Sequence, residues 1–235
     1  MVNFIYRFAP QWFYGIDIIF EFFSIIACLL IAFYALKLYK FTDNSKHKYF
    51  GYSFLAIALS FFFKILTNLA GYFPLIKEKA VSLVSVLYNS FTITYTPVKA
   101  ALFIHHSLML LGLFGIFYIV SKSRERNKIL LFIYFTIITS LYVLFDPFGY
   151  NSYRIFYLTT AFLSAFILRY YYVYYIKNKN KKTLLVVESF LFILIGQIAF
   201  IFTFSTLGIN GYVLGEIIQF FGFLLLLYNY YLLQK

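Results

Sequence analysis

The chain consists mainly of apolar runs that are long enough to cross a lipid bilayer as helices. The hydrocarbon core of a bilayer is about 30 Å thick and needs about 17 to 25 apolar residues per helical crossing. A lipid-exposed strand would leave backbone groups unpaired, so we predict that every run is helical. Seven runs meet this length, at about 12–36, 50–72, 98–120, 129–145, 155–176, 183–206 and 212–233. The sequence therefore predicts an all-α, polytopic membrane protein, a seven-transmembrane-helix bundle forming one domain over 1–235.

Composition agrees with an apolar solvent. Of 235 residues, 63% are hydrophobic and 12% are charged, whereas soluble domains carry about 25% charged residues. A soluble fold of this length cannot bury so much apolar surface. Cys28 is the single cysteine, which excludes a disulfide framework and a cysteine-based zinc site.

Basic residues lie in three clusters, after the first, third and fifth runs. By the positive-inside rule these clusters are cytoplasmic, so we expect the N-terminus outside, the C-terminus in the cytoplasm and residues 73–97 as an outer loop. The clusters suit the anionic surface of a cell membrane. No basic face is interleaved with aromatics, which argues against nucleic acid; we expect a cytoplasmic protein partner instead. The cluster residues are Lys37, Lys40, Lys46, Lys48, Lys122, Arg124, Arg126, Lys128, Lys177, Lys179, Lys181 and Lys182.

Polar side chains from five runs are predicted to reach one level in the outer half of the membrane. At about 1.5 Å per helical residue, most of them lie about 11 to 14 Å below the surface. Intramembrane ionisable groups are functional candidates by default, so we expect a polar cavity that binds a small molecule or a lipid. The plainer alternative is interhelical hydrogen bonding, at about 0.6 kcal/mol per contact. The candidate residues are Asp17, Glu21, Lys64, Asn68, Lys99, His105, His106, Gln197, Glu216 and Gln219.

Two ion pairs and one histidine assignment follow from these depths. Glu21 and Lys64 have opposite charge at the same depth, so we expect them to pair. Arg169 and Glu188 lie near the cytoplasmic side, where a structural ion pair would join two helices. His105 and His106 are adjacent and point about 100° apart on a helix, so at most one of them faces a shared site.

The topology resembles that of microbial rhodopsins, with seven helices, an outer N-terminus and a longer loop between the second and third spans. That family carries its retinal on a lysine in the last helix, but the run 212–233 contains no lysine. Covalent retinal binding is therefore rejected, and no other cofactor is expected. The richness in Ile, Lys, Tyr, Phe and Asn also resembles seven-helix membrane proteins of archaeal genomes whose role is not characterised.

Three functions remain open on the sequence alone. The first is a receptor or sensor with a ligand in the outer cavity, and the second is a proton-coupled transporter of small solutes. Against the transporter, we find no convincing internal repeat, and Pro10, Pro74, Pro97 and Pro147 all lie at span edges, whereas transporters often have repeats and broken helices. A three-plus-one-plus-three arrangement of the seven spans stays open. The third is a structural subunit of a membrane complex. An enzyme is not favoured, because the three histidines lack metal-binding spacing.

Overall fold

The computed structural model describes residues 9–73, 96–121, 129–131, 133–134, 136–137, 150–204 and 208–234. These residues form helices and their connections, with no strand among them. A short 3₁₀ helix, Gln11–Phe13, precedes the first long helix, and another, Phe202–Phe204, follows the fifth. The long helices are α1 Ile16–Thr42, α2 Ser45–Tyr72, α3 Thr96–Val120, α4 Tyr150–Asn178, α5 Lys181–Ile201 and α6 Ile209–Gln234.

Six of the seven predicted runs correspond to these long helices. The described positions from 129 to 137 are also helical, and the rest of the predicted span 129–145 lies outside the described residues. The predicted outer loop 73–97 also lies outside them, apart from Phe73 and the first turn of α3. Pro97 falls in that first turn, where a missing N–H leaves no hydrogen bond unmade.

Five helices in the described part of the chain are long and apolar enough to cross a membrane. They lie at Gln11–Thr42, Ser45–Tyr72, Ala100–Val120, Lys181–Ile201 and Asn210–Leu232. Helix α4 has 29 residues and is equally long. It does not belong to this set, because its tyrosines and its two arginines lower its mean hydropathy.

The six long helices form a closed ring. Each packs against its neighbour in chain order, and α6 packs back against α1. Helices α3 and α4 also contact each other directly, although the residues between them in the chain are largely outside the described set. A ring of this kind encloses an interior that is lined by every one of its helices.

Polarity is reversed relative to a water-soluble protein. Large apolar side chains cover the outside: Phe22, Phe33 and Leu59 are each more than half exposed, at 54, 61 and 52%. Charged side chains are inside: Asp17 and Glu21 have no exposed surface. Exposed apolar surface on this scale needs a non-aqueous environment, in agreement with the membrane assignment.

The α1–α2 and α4–α5 connections are built alike. Each has two residues, the first with a left-handed backbone, Asp43 (φ 49°) and Lys179 (φ 47°). The second is an asparagine in both, Asn44 and Asn180, whose side chain accepts a hydrogen bond from the backbone N–H two residues later, at 3.1 and 2.9 Å. Such asparagine caps satisfy free N–H groups at a helix start. We refer to the end of the bundle that carries these two connections as the turn end.

Helix α2 packs on α3 in the same way as α5 packs on α6. A Cβ added at Gly112 of α3 would lie 2.7 Å from the Ser53 carbonyl oxygen and 2.5 Å from Cγ1 of Ile57. A Cβ added at Gly222 of α6 would lie 2.9 Å from the Ser189 carbonyl oxygen and 2.7 Å from Cγ1 of Ile193, both on α5.

These matched contacts keep one spacing. The positions 44, 53 and 57 correspond to 180, 189 and 193, a constant shift of 136 residues. The helices α3 and α6 follow a different shift, of 110 residues, which is the separation of Gly112 and Gly222. The sequence shows no convincing repeat, but these contacts agree with the three-plus-one-plus-three arrangement that the sequence leaves open. Among the described residues, two three-helix units pack alike: unit 1, α1 to α3, and unit 2, α4 to α6.

Candidate functional site

Buried polar side chains from α1, α2 and α6 meet in the interior, at the end of the bundle opposite the turn end. Asp17 and Glu21 lie one turn apart near the start of α1, and Lys64 and Asn68 lie one turn apart near the end of α2. Glu216 lies near the start of α6. Residues four apart share a helix face, so two helices each direct a pair of polar groups towards the third. With Tyr72 and Tyr212, these five residues are called the carboxylate cluster.

Lys64 is the centre of the carboxylate cluster. Its Nζ lies 3.1 Å from Oε1 of Glu21 and forms a second ion pair with Oε1 of Glu216. The predicted pair of Glu21 with Lys64 is confirmed, whereas the pairing with Glu216 was not predicted. The ammonium also lies over two aromatic rings, 5.3 Å from the centre of Phe200 and 5.7 Å from that of Tyr212, a favourable arrangement for a desolvated cation.

Asp17 is held by neutral donors. Its Oδ1 accepts from the backbone N–H groups of Gly15 and Ile18, at 3.1 and 2.9 Å. Its Oδ2 accepts from the hydroxyl of Tyr72 and, at 3.4 Å, from that of Tyr212. Asn68 donates through Nδ2 to Glu21 at 2.9 Å and more weakly to Asp17 at 3.4 Å.

Negative charge exceeds positive charge in the carboxylate cluster. Its three carboxylates face a single cation, Lys64, which pairs with two of them among the described residues, and two negative charges stay unbalanced if all four groups are ionised. Oε2 of Glu21 is buried and has no hydrogen-bond partner in the described structure. A buried charge without a partner costs several kcal/mol, about 3 or more at the centre of a membrane. The arrangement therefore calls for an added positive charge.

The two adjacent histidines have different surroundings. Nδ1 of His105 forms a hydrogen bond with the Ser60 hydroxyl at 2.7 Å. That hydroxyl is also within donating distance of the His105 carbonyl oxygen, at 3.0 Å. His106 stacks on the ring of Phe156, with 3.8 Å between ring centres. His105 therefore faces the interior site and His106 packs between helices, which confirms that only one of the two faces it.

A narrow space, called the axial gap, continues from Lys64 towards the turn end. The space that atoms leave free here is about 180 Å³, a volume that includes space open to the outside, and none of it is wide enough for a water molecule. Of the predicted residues, His105, Gln197 and Gln219 line it together with Lys64. The remaining lining residues are Phe61, Met109, Phe156 and Tyr157.

Sequence reasoning missed four hydroxyl groups that complete the site. Tyr72 and Tyr212 are not among the predicted site residues, yet their hydroxyls bond Asp17. Ser60 holds His105, and Thr160 donates to Oε1 of Gln197 at 2.7 Å. Ser60 lies one turn before Lys64 on α2, so helical spacing alone would have assigned it to the same face.

Two predictions are not realised or lie outside the described residues. Arg169 is exposed on α4, and no ion pair joins it to Glu188 although both residues are described. The predicted structural pair is therefore not formed, because α4 turns Arg169 away from the ring interior. The side chain of Lys99 lies outside the described residues.

Comparison with family models, curated proteins and solved structures gives no match for this chain. Within the described residues, no group of three or more His, Cys, Asp or Glu side chains is arranged to hold a metal ion. The chemistry of the site therefore has to be inferred from its own geometry, in which excess carboxylate charge is the leading feature.

Proposed function

We propose that this chain is a proton-coupled carrier of small solutes, a multi-pass protein of the cell membrane with seven spans. The observation that carries the proposal is the buried excess of carboxylates over lysine, distributed between two three-helix units. Unit 1 supplies Asp17, Glu21 and Lys64, and unit 2 supplies Glu216. A carrier needs such a site between its repeats, where a change in bound charge alters how the units fit together.

Protons are the positive charge that fits best. Oε1 of Glu21 already contacts Lys64 and Asn68, and Oδ2 of Asp17 contacts Tyr72, so the buried Oε2 of Glu21 is the oxygen left to receive a proton. A proton on Glu216 would remove its ion pair with Lys64 and one of the two unbalanced charges, and a proton on Glu21 would do the same for the Glu21–Lys64 pair. Proton binding and release at Glu216 would thus weaken and strengthen the contact between α2 and α6, which belong to different units.

Proton-linked transport is tested with purified protein in liposomes that contain a pH-sensitive dye. Gradients of glucose, glutamine, ethanolamine and lactate are imposed in turn, and the internal pH is recorded. We expect one solute class to drive proton movement, and Glu216→Gln to abolish it. The matched control is Glu188→Gln, which removes a carboxylate outside the carboxylate cluster and should leave the movement unchanged. No proton movement with any of the four solutes, or an unchanged rate in Glu216→Gln, would refute the carrier.

The membrane orientation that belongs to this proposal follows from the basic turn end, which we assign to the cytoplasm. A single cysteine at an exposed position of each end tests it, in a Cys28→Ser background. An impermeant thiol reagent should label Gln11→Cys in intact cells, and should label Ser45→Cys only after the cells are opened. Labelling of Ser45→Cys in intact cells would reverse the orientation.

A receptor is the second candidate, favoured by the position of the axial gap inside the ring of helices. Aromatic and amide side chains line this space, as in many ligand pockets. A receptor would bind one of the four solutes without moving protons. If no solute is bound or moved, the tightly packed carboxylate cluster serves to hold helices together, as expected of a structural subunit.

A further inference from the structure

Residues that line the axial gap occupy equivalent positions in the two units. Applying the shift of 136 residues, Phe61 of α2 corresponds to Gln197 of α5; applying the shift of 110, Met109 of α3 corresponds to Gln219 of α6. All four of these residues line the axial gap. When equivalent residues of two similar units surround one space, that space lies on the pseudo-two-fold axis between them.

Another equivalent pair meets at the same place. Lys64 corresponds to Phe200 by the shift of 136 residues, and the Lys64 ammonium lies 5.3 Å from the centre of the Phe200 ring. Two positions that are related by a two-fold axis touch each other only when both are close to that axis. The carboxylate cluster and the axial gap are therefore neighbours on one axis, joined by Lys64.

The two sides of the axis differ in chemistry. Where unit 1 has Glu21 and Lys64, unit 2 has Tyr157 and Phe200. Unit 2 also contributes two amides, Gln197 and Gln219, to the axial gap. One side thus binds charge, and the other offers aromatic faces with neutral hydrogen-bonding groups.

We propose that the axial gap is the solute site of the carrier, and that its solute is a small, uncharged molecule with several hydrogen-bonding groups. This inference rests on the proposed function. Lys64 is the one charged side chain among the described lining residues and is already paired with two carboxylates, so an anionic solute would find no free cation. The carboxylates of the cluster are not part of the lining, so a cationic solute would find no direct partner there. The amides of Gln197 and Gln219 and the ring of Phe156 suit a neutral molecule with both polar groups and an apolar face.

Opening of the axial gap requires the units to separate, because its present spaces are narrower than a water molecule. Besides the Lys64–Glu216 ion pair, the contacts between units include aromatic pairs: Phe20 and Phe220 join α1 to α6 with 5.1 Å between ring centres, and His106 stacks on Phe156 between α3 and α4. Contacts within units are tighter, since Gly112 and Gly222 allow backbones to approach closely. Motion is therefore expected between the units rather than inside them.

Direct binding tests the solute class. Radiolabelled glucose, glycerol and nicotinamide serve as uncharged probes, and ethanolamine and lactate as charged ones, with the full chain in detergent. We expect at least one uncharged probe to bind, and Gln219→Leu to weaken its affinity by about tenfold through the loss of one buried hydrogen bond. Gln11→Leu, on an exposed glutamine, is the matched control and should bind as the original chain does. Preference for a charged probe, no binding of any uncharged probe, or full affinity in Gln219→Leu would overturn the inference.

Cross-linking tests the motion between units, in a Cys28→Ser background. Phe20→Cys with Phe220→Cys, joined by a short reagent that a reductant removes, ties unit 1 to unit 2. Ser53→Cys with Gly115→Cys ties two helices of unit 1, where a Cβ added at Gly115 would lie 3.2 Å from Cβ of Ser53, close to disulfide spacing. The first cross-link should stop solute uptake until it is reduced, and the second should leave uptake unchanged. Continued uptake with the first cross-link in place would overturn the proposed motion.

The two proposals fail separately. Proton movement that depends on Glu216, together with full affinity in Gln219→Leu, would leave a carrier whose solute site lies elsewhere. Binding that depends on Gln219 without proton movement would leave the solute site intact and remove the proton coupling.

Discussion

Lys64 lies 5.3 Å from the ring of Phe200, and these two residues occupy the same position in two similar three-helix units. The first unit places a cation at this position, and the second places an aromatic ring there. The two equivalent positions therefore carry complementary groups, a cation and an aromatic ring, where the units meet. Substitutions at the contacts around this point, and at the packing sites that the units share, have distinct expected outcomes.

Replacing Lys64 with Met should destabilise the protein by about 3–5 kcal/mol, because two buried carboxylates lose their shared cation. The second change Glu21→Gln in the same chain should restore part of that loss by removing one of those charges. The measurement is the midpoint of thermal unfolding in detergent. Lys37→Met, which removes an exposed lysine near the turn end, is the control and should melt as the original chain does. Equal midpoints for the single and double variants would mean that Glu21 and Lys64 are not coupled.

Replacing Tyr72 with Phe should lower stability by about 1.5–3 kcal/mol, the range for a hydrogen bond to a charged group. Tyr212→Phe should have a smaller effect, because its 3.4 Å separation from Asp17 exceeds the usual range for a hydroxyl donor. Tyr52→Phe changes a tyrosine that is half exposed on the outside of the bundle and should have no effect. Denaturant unfolding of the three variants gives the order, and a larger loss in Tyr52→Phe than in Tyr72→Phe would contradict the assignment.

Gly112→Ala and Gly222→Ala should each destabilise by about 1–3 kcal/mol, since the added methyl group meets a backbone carbonyl at 2.7 and 2.9 Å. The two losses should be similar and should add in the double variant, because the glycines lie in different units with no shared contact. Ala100→Val enlarges an exposed residue of α3 and provides the control. Thermal unfolding of the four proteins checks this. A loss at one glycine only would argue against equivalent packing of the units.

Replacing Arg169 with Met should leave stability within about 0.5 kcal/mol of the original, as for most surface changes. The side chain is exposed, and no ion pair joins it to Glu188. The readout is again the unfolding midpoint, with Lys64→Met as the positive comparison. A loss close to that of Lys64→Met would show that Arg169 has a structural ion pair after all.

The helices were predictable from the sequence because one physical requirement acts on many residues at once. The exclusion of water from lipid demands long apolar helices, so the bounds of α1, α2, α3, α5 and α6 agree with the sequence prediction to within six residues at each end. The same requirement makes a buried charge conspicuous. Asp17, Glu21, Lys64 and Glu216 can therefore be identified as candidate site residues without knowledge of any contact.

The internal repeat escaped detection for a physical reason. Close packing constrains volume and shape more than residue type, so few identities survive between the units. Ile31 and Ile167 are both fully buried and agree in type, but Lys64 and Phe200 do not. Only the contacts reveal that Ser53 with Gly112 and Ser189 with Gly222 are equivalent.

The sequence by itself determined the class of the protein, because helix length and hydropathy are properties of single segments that lipid selects one at a time. It also determined which polar residues lie inside the apolar segments. The tertiary structure decided which of them meet: that Lys64 serves Glu216 as well as Glu21, that Tyr72 bonds Asp17, and that Arg169 stays apart from Glu188. These outcomes depend on the rotation of each helix about its own axis, which is fixed only when all six helices pack against their neighbours.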